Sequence, residues 1–185
     1  MVELPWIIIE QLGPTILTHI KGDIFEIGIG PNSTPMFKKF AEEFKRDLYC
    51  LDQKRGRCKW ARELGGCKVF HARSLKTIKE LPELSFAMGL VDGRHEANTV
   101  RQEMYYFLDR LALGGIIFMH DTYLLTDKKI RNRDHKRGPA GDVYKVRQEL
   151  ESDKTLRTFT WPYTAGECGL TMVMKKDPDR PYWRK

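Results

Sequence analysis

Residues 23–30 read DIFEIGIG, and the fold class of the chain can be inferred outward from them. Its apolar residues give way to glycine, proline and hydroxyl residues at 30–34, which predicts a short buried strand followed by a tight turn. A helix should follow, with Ser33 or Thr34 as its N-cap, because apolar residues recur at one-and-four spacing in Met36, Phe37, Phe40, Ala41 and Phe44. A strand, a glycine turn and a helix in this order present backbone N–H groups to a nucleotide-like or amino-acid-like ligand.

The rest of the chain repeats the alternation of strands and helices. Further strands are predicted at 47–52, 67–71, 84–92 and 116–119, with helices at about 96–113 and 141–152. The last two strands, 156–160 and 169–175, are too close in sequence for a crossover helix and should pair antiparallel. The pattern predicts an α/β fold: a doubly wound, mostly parallel, seven-stranded Rossmann-like sheet with an antiparallel C-terminal hairpin.

The length of 185 residues predicts a single domain over residues 1–185. Its N-terminal segment, 1–21, has no basic start and an interrupted apolar run, so we expect neither a signal peptide nor a membrane span. We expect instead a helical segment that packs onto the domain through Ile8, Leu12, Ile16 and Ile20.

Cysteine usage and charge indicate the compartment and the kind of partner. Four scattered cysteines without a C-x-x-C pair argue against zinc or a disulfide framework and predict a cytoplasmic protein. The net charge of +7 favours an anionic partner. Much of the excess lies in a basic loop at 124–140, which is either a solvated surface loop or a substrate-binding one.

Polar residues at the carboxyl ends of the predicted strands are the candidates for a site. Glu26 lies inside the first strand, where a buried carboxylate needs a hydrogen-bond or cationic partner. Gly28 and Gly30 let the backbone approach a ligand, and Asp52 stands where an acid can accept two ribose hydroxyls. The dinucleotide fingerprint fails, because Ser33 occupies its third glycine position.

Four motifs together resemble those of the class I S-adenosylmethionine-dependent methyltransferases. In chain order they are E-I-G-I-G-P, L-D-Q, V-D-G-R-H and G-G-I-I-F-M-H-D-T-Y. The likeness is to the group in which the fourth strand ends in D-G-x-H and the fifth in H-D or E-D. That group includes macrocin O-methyltransferase and cephalosporin hydroxylase-like proteins. The resemblance covers about residues 22–122.

The resemblance implies a set of contacts to S-adenosylmethionine. Glu26, Gly28 and Gly30 would line its methionine end, Asp52 would hold the ribose, and Ser74 would lie near the adenine. Gln53 and Asp92 complete the implied cofactor-binding residues. The third predicted strand supplies no acidic residue for the adenine amino group.

The resemblance also implies a metal site of Asp92, His120 and Asp121, with His95 as the catalytic base. Magnesium and manganese are the candidate ions. His120 stands where relatives carry a glutamate, and a nitrogen ligand shifts the preference from magnesium toward manganese, iron or zinc. An ion between Asp92 and Asp121 would lower the pKa of an acceptor hydroxyl, and His95 would take its proton.

The predicted function is therefore metal-assisted O-methylation of a hydroxyl on a small molecule or sugar, the acceptor being neutral or anionic. One alternative is a methyltransferase that acts on a nucleotide or nucleic acid; a second is a non-catalytic cofactor-fold binding protein, and a third is a hydroxylase-like iron site. No N-P-P-[YF] motif follows the fourth strand, which disfavours N-methylation of a base. A homodimer is an open option with no interface identified. We expect no membrane partner.

Overall fold

The computed structural model describes residues 4–71, 84–123, 141–162 and 169–176. Its helices are α1 (Leu4–His19), α2 (Ser33–Phe44), α3 (Arg55–Leu64), α4 (Ala97–Arg110) and α5 (Val143–Ser152). Its strands are β1 (Asp23–Ile27), β2 (Leu48–Asp52), β3 (Lys68–His71), β4 (Phe86–Val91), β5 (Leu111–His120), β6 (Leu156–Trp161) and β7 (Leu170–Lys175).

These strands form one sheet in the order β3-β2-β1-β4-β5-β7-β6. The five strands from β3 to β5 pair in parallel, whereas β7 pairs antiparallel with both β5 and β6. The predicted fold class is thus confirmed, including the antiparallel pairing at the C-terminal end. The chain crosses from the β3 edge back to β4, beside β1, which places a topological switch point between the carboxyl ends of β1 and β4.

Helices cover both faces of the sheet, as continuous apolar strands require. On one face, α4 packs against β4 and β5 and α5 packs against β6, and both share a core cluster with Phe25 of β1. The rings of Phe25 and Phe107 stack there with 3.6 Å between their centroids. Phe25 lies so close to β4 that a Cβ atom at Gly89 would overlap its ring. On the other face, α1, α2 and α3 bury Phe37, Ala61 and their neighbours against β1, β2 and β4.

Two helix boundaries differ from the sequence prediction. Helix α4 ends at Arg110, and β5 already begins at Leu111, although the apolar spacing continued to 113. Ser33 and Thr34 are not N-caps, because α2 begins at Ser33 and the cap position is Asn32, without a side-chain hydrogen bond. The hydroxyl of Thr34 instead donates a hydrogen bond to the carboxylate of Glu26.

The N-terminal segment forms α1, and its buried face is rotated from the predicted one. Trp6, Ile9, Ile16 and Leu17 are buried there, while the predicted Ile8, Leu12 and Ile20 are only partly buried against the same cluster.

Among the helices that the structure describes, none combines the length and the apolar character of a membrane span. Cys50, Cys58 and Cys67 are free thiols. The basic loop at 124–140, the segment at 72–83 and Cys168 lie outside the described residues.

Candidate active site

The carboxyl ends of β1, β4 and β5 meet at one edge of the sheet, because β4 lies between the other two and all run parallel. Gly28 follows β1 and Asp92 follows β4, and the Asp92 N–H donates to the Ile27 carbonyl at 2.8 Å. Gly28 has a φ of 91°, and a Cβ atom there would overlap the Asp92 carbonyl. Glycine is therefore required where the turn after β1 touches the turn after β4.

Asp92, His95 and Asp121 form a group that could hold a metal ion, since one ligand atom from each lies within 4.8 Å of the others. His95 Nε2 is 3.2 Å from Asp121 Oδ2 and 3.5 Å from Asp92 Oδ1. All three residues are half-buried. Two carboxylates and one imidazole give a mixed oxygen and nitrogen ligand set, which suits manganese, iron or zinc better than magnesium.

His120 is packed differently from His95. Its side chain is 11% exposed, against 31% for His95, and its Nδ1 atom lies 3.3 Å from Asp92 Oδ1 and 3.4 Å from Asp121 Oδ1. Its ring stacks on the indole of Trp6. The geometry thus brings all four predicted metal and catalytic residues together, but places His95 rather than His120 in the group of metal-capable atoms. The role of each histidine stays a prediction.

In this cluster, the carboxylates and the histidines stabilise each other's ionised forms. Burial would lower the pKa of His120, but its interactions with Asp121 and Asp92 outweigh burial and raise that pKa to about 11. Burial would likewise raise the pKa of Asp92, but His120 and His95 hold it below its ordinary value. Because the pKa of His120 is raised and that of Asp92 is lowered, His120 is a cation and Asp92 an anion at neutral pH.

The start of α5 fixes the turn that carries His95. Asp142 Oδ1 accepts a hydrogen bond from the Ala97 N–H at 2.7 Å, and the Asp142 N–H donates to the His95 carbonyl at 3.4 Å. A Cβ atom at Gly141, where φ is 56°, would overlap that same carbonyl. Next to this turn lies an open, polar cleft of about 500 Å³. It is lined by Glu96, Ala97, Asn98, Arg101, Asp142 and Lys145.

Glu26 is fully buried in β1, and the partner expected for its carboxylate is Thr34. The Thr34 hydroxyl donates to Glu26 Oε2 at 2.7 Å and accepts from the Gly30 N–H at 3.1 Å. Burial raises the pKa of Glu26 to about 7, although the nearby Ser33 and Thr34 hydroxyls act in the opposite direction. The other oxygen, Oε1, is buried and makes no hydrogen bond within the described part of the chain. One carboxylate oxygen is therefore left for a donor that arrives with a ligand.

Asp52 lies at the end of β2, beside the turn after β1. Its Oδ2 accepts a hydrogen bond from the Ile29 N–H at 3.1 Å, and its Oδ1 accepts one from the Lys54 N–H at 2.7 Å. Arg57 lies 3.5 Å from Oδ2. Oδ2 thus has two donors, whereas Oδ1 has one and retains a lone pair that a ribose hydroxyl could use. Gln53 is exposed, and its carbonyl oxygen lies 3.2 Å from His71 Nε2.

One predicted site residue lies in a part of the chain that the structure does not describe, and two features of the site were not predicted. Ser74 lies outside the described residues. Sequence reasoning missed Trp6 and the Thr34 contact. A hydroxyl residue shortly after a strand with a buried glutamate is a usable signal, whereas nothing in the sequence connects Trp6 with β5.

Comparison with known proteins gives the family. A family model described as a methyltransferase domain matches residues 25–122, more than half of the 185-residue chain. The chain belongs to this family. The matched part of the methyltransferase domain runs from β1 through the end of β5 and contains every described candidate from Glu26 to Asp121. Recognition of a class I methyltransferase from the motifs is thereby confirmed. The comparison with curated proteins gave no match.

Solved structures similar to this methyltransferase share its fold at low sequence identity. The O-methyltransferase TomG from Streptomyces achromogenes, in complex with S-adenosylmethionine, is 16% identical, with a TM-score of 0.69 over 96% of this chain and 82% of that one. An O-methyltransferase from Bacillus cereus, in complex with S-adenosylhomocysteine, is 14% identical, with a TM-score of 0.68 over 90% and 80%. MycE methyltransferase from the mycinamycin biosynthetic pathway, with magnesium and S-adenosylhomocysteine, is 15% identical, with a TM-score of 0.60 over 94% and 48%.

Proposed function

We propose that this methyltransferase uses S-adenosylmethionine to methylate a hydroxyl oxygen of a small molecule or sugar, with the assistance of a divalent metal ion. One observation carries the proposal: Asp92, His95 and Asp121 converge at the sheet edge directly beside the Gly28 turn. A metal-capable group and a turn suited to a cofactor thus lie side by side. That arrangement brings an acceptor oxygen close to a methyl donor.

The residues after β1 and β2 fit S-adenosylmethionine. The buried Oε1 of Glu26 is an acceptor without a hydrogen bond in the described chain, and it suits the ammonium group of a methionine moiety. Gly28 keeps the turn free of a side chain, and Asp52 offers carboxylate oxygens at the place where ribose hydroxyls bind in this fold. When bound, S-adenosylmethionine would supply a methyl group whose carbon an oxygen nucleophile can attack, and the sulfur would leave as the neutral thioether of S-adenosylhomocysteine.

The donor set also fits a divalent metal. Asp92 and Asp121 supply carboxylate oxygens, and His95 supplies an imidazole nitrogen within the same 4.8 Å group. Magnesium in the structure of MycE, a protein of the same fold, supports a metal, and the mixed ligand set here favours manganese over magnesium. A bound divalent ion supplies Lewis acidity that lowers the pKa of a hydroxyl.

The chain's own residues then position the acceptor and take its proton. We assign His95 the role of base in the arrangement in which it does not ligate the ion, because its Nε2 lies 3.2 Å from Asp121, whose carboxylate would stabilise the imidazolium that forms. In the metal-free protein, Asp121 and Asp92 raise the pKa of His120 to about 11, so we do not assign it the role of base. The open cleft beside the His95 turn offers room for a polar acceptor.

His95 as base and His95 as metal ligand predict different effects of one substitution. If His95 is the base, His95→Gln should lower the rate of methyl transfer by about 10²–10⁴-fold and leave the affinity for Mn²⁺ within about twofold of the wild type. If His95 is a ligand, the same variant should weaken Mn²⁺ binding by tenfold or more. The exposed His71, which lies at the end of β3, provides a matched control in His71→Gln.

Calorimetric titration tests the proposal directly. Wild-type protein should bind S-adenosylmethionine, and Mn²⁺ or Mg²⁺ should bind separately. Asp52→Ala should weaken S-adenosylmethionine binding and spare the metal, whereas Asp121→Asn should weaken metal binding and spare S-adenosylmethionine. Absence of S-adenosylmethionine binding by the wild type under every metal condition would contradict the proposal and favour a non-catalytic binding protein.

A further inference from the structure

Asp121 has a backbone conformation that side-chain-bearing residues rarely adopt. Its φ is 55°, in the left-handed region, where non-glycine residues cost about 1 kcal/mol or more. This conformation turns the chain at the end of β5 and leaves the Asp121 carboxylate beside His95 and His120. Surrounding contacts must hold such a residue in place, so the question is which contacts hold the turn.

The next residue, Thr122, is fully buried and is held by a side chain of α5. Arg147 Nε donates to the Thr122 carbonyl at 3.1 Å, and the Arg147 guanidinium lies 5.1 Å from the centre of the Tyr123 ring. The side chain of Arg147 is 15% exposed, so this hydrogen bond is largely shielded from water. A hydrogen bond from such a largely buried arginine contributes more to stability than one from an arginine exposed on the surface.

Polar contacts that involve β6 and β7 hold both Arg147 and Thr122. Arg147 Nη1 donates to Glu151 Oε2 at 2.8 Å, and the Thr160 hydroxyl donates to Glu151 Oε1 at 2.8 Å. The hydroxyl oxygens of Thr160 and Thr171 lie 3.0 Å apart, and the Thr171 hydroxyl donates to Thr122 Oγ1 at 2.8 Å. Thr122 is thus held at both its carbonyl and its hydroxyl.

We propose that Arg147 is a positioning residue that keeps Asp121 in its left-handed conformation and its carboxylate aimed at the metal-capable group. The proposal rests on the function proposed above as far as the use of that carboxylate is concerned. Arg147 itself contacts neither Asp92, His95 nor Asp121 among the contacts described, and acts through the Thr122 carbonyl. The guanidinium is suited to this because it donates to the carbonyl and to the Glu151 carboxylate from one rigid plane.

Lysine cannot reproduce this geometry, and another arginine on the same helix pair provides the control. Arg101 of α4 makes a two-fold ion pair with Glu149 of α5, with Nε at 2.7 Å from Oε2 and Nη2 at 2.5 Å from Oε1. It is the same type of interaction on the same helix but does not contact Thr122. Arg101→Met therefore reports the loss of the ion pair with α5 and of a hydrogen bond to Asn98 within α4, whereas Arg147→Met and Arg147→Lys also remove or weaken the bond to the turn.

Hydrogen exchange of the ligand-free protein tests the positioning role without any assumption about the metal. The Thr122 N–H donates to the Gly169 carbonyl at 3.4 Å, so its exchange rate reports whether the turn is closed. We expect Thr122 to exchange at least tenfold faster in Arg147→Met and several-fold faster in Arg147→Lys. Exchange at Ile117, in the middle of β5, should stay as in the wild type, and Arg101→Met should change neither position. Unchanged Thr122 exchange in both Arg147 variants would overturn the proposal.

Titration with Mn²⁺ then connects the turn to the site. In the same variants we expect Mn²⁺ affinity to fall about tenfold for Arg147→Met, with S-adenosylmethionine affinity changed less than twofold. Loss of both affinities together, with faster exchange at Ile117, would mean general destabilisation and would overturn the positioning role. If wild-type protein binds no Mn²⁺ or Mg²⁺, the metal assistance proposed above fails, whereas the exchange result still decides the role of Arg147.

Discussion

The indole of Trp6 stacks on the imidazole of His120, with 5.2 Å between the ring centroids and 18° between the ring planes. Trp6 belongs to α1, and His120 is the last residue of β5, so the two ends of a long stretch of chain meet at the candidate site. Trp6 is 8% exposed. The N-terminal helix therefore forms part of the wall of the site.

Trp6→Leu should lower the free energy of unfolding by about 2–3 kcal/mol, because a large buried ring is lost together with its stacking contact. Trp6→Phe keeps an aromatic ring and should lose less. Urea unfolding of Trp6→Leu, His120→Gln and the double variant gives their coupling energy, which we expect to be about 0.5–1.5 kcal/mol. Additive effects would mean that the stack contributes nothing beyond burial.

The stability of the free protein should fall as pH rises through the range set by Glu26. The pKa of Glu26 rises from 4.5 to about 7 on folding, so the folded state disfavours the charged form. The associated loss of stability begins above pH 4.5, is complete above about pH 7 and amounts to about 3 kcal/mol. Glu26→Gln should remove this loss, so that the variant is more stable than the wild type at pH 8 and similar to it at pH 4.5. Parallel stability profiles of the two proteins would contradict the prediction.

Affinity for S-adenosylmethionine should rise with pH through the same range. If the cofactor ammonium needs an ionised Glu26, the competent fraction of free protein is about one tenth at pH 6 and about nine tenths at pH 8 for a pKa of about 7. We therefore expect about tenfold tighter binding at pH 8 by calorimetry. Glu26→Gln should bind weakly at both pH values. A pH dependence that survives in the variant would assign it to another group.

Gly28→Ala should destabilise the protein by about 2–4 kcal/mol and weaken S-adenosylmethionine binding, because the new methyl group overlaps the Asp92 carbonyl at a φ of 91°. Gly30→Ala is the matched control, since a Cβ atom there meets only the Ser33 Oγ, at 3.1 Å, as a close neighbour. Thermal unfolding should show a large shift for the first variant and a small one for the second. Equal shifts would mean that the contact with the turn after β4 is not the cause.

The sequence was sufficient for the fold, since local apolar patterns and glycine turns specify which segments are strands and which lie in the parallel part of the sheet. Boundaries were harder where two patterns overlap. Leu111 fits the helical spacing of α4, but it pairs with Phe86 in β5, and this long-range pairing decides its conformation. The local sequence predicts Thr34 as a helix cap, but its hydroxyl instead donates a hydrogen bond to the buried Glu26 carboxylate, which lies on another element.

The candidate site was predictable as a set of strand ends but not as a set of contacts. Parallel strand order alone brings Asp92 and Asp121 together. The different surroundings of His95 and His120 depend on Trp6 and on the turn at Asp121, and neither is visible in the motifs. Likewise, no local pattern relates Arg147 to Thr122, because their contact depends on how α5 lies against the sheet.

The position of β7 between β5 and β6 has a consequence for how the protein is made. Leu170 pairs with His120 on one side and with Trp161 on the other, so β6 cannot join the sheet until the strand that follows it has been synthesised. On the ribosome, an emerging chain therefore exposes the hydrogen-bonding edge of β5 and an unpaired β6 until β7 has left the ribosome. Only then can Thr122 acquire its Thr171 partner. The turn that carries Asp121 is therefore completed only after β7 has paired with β5.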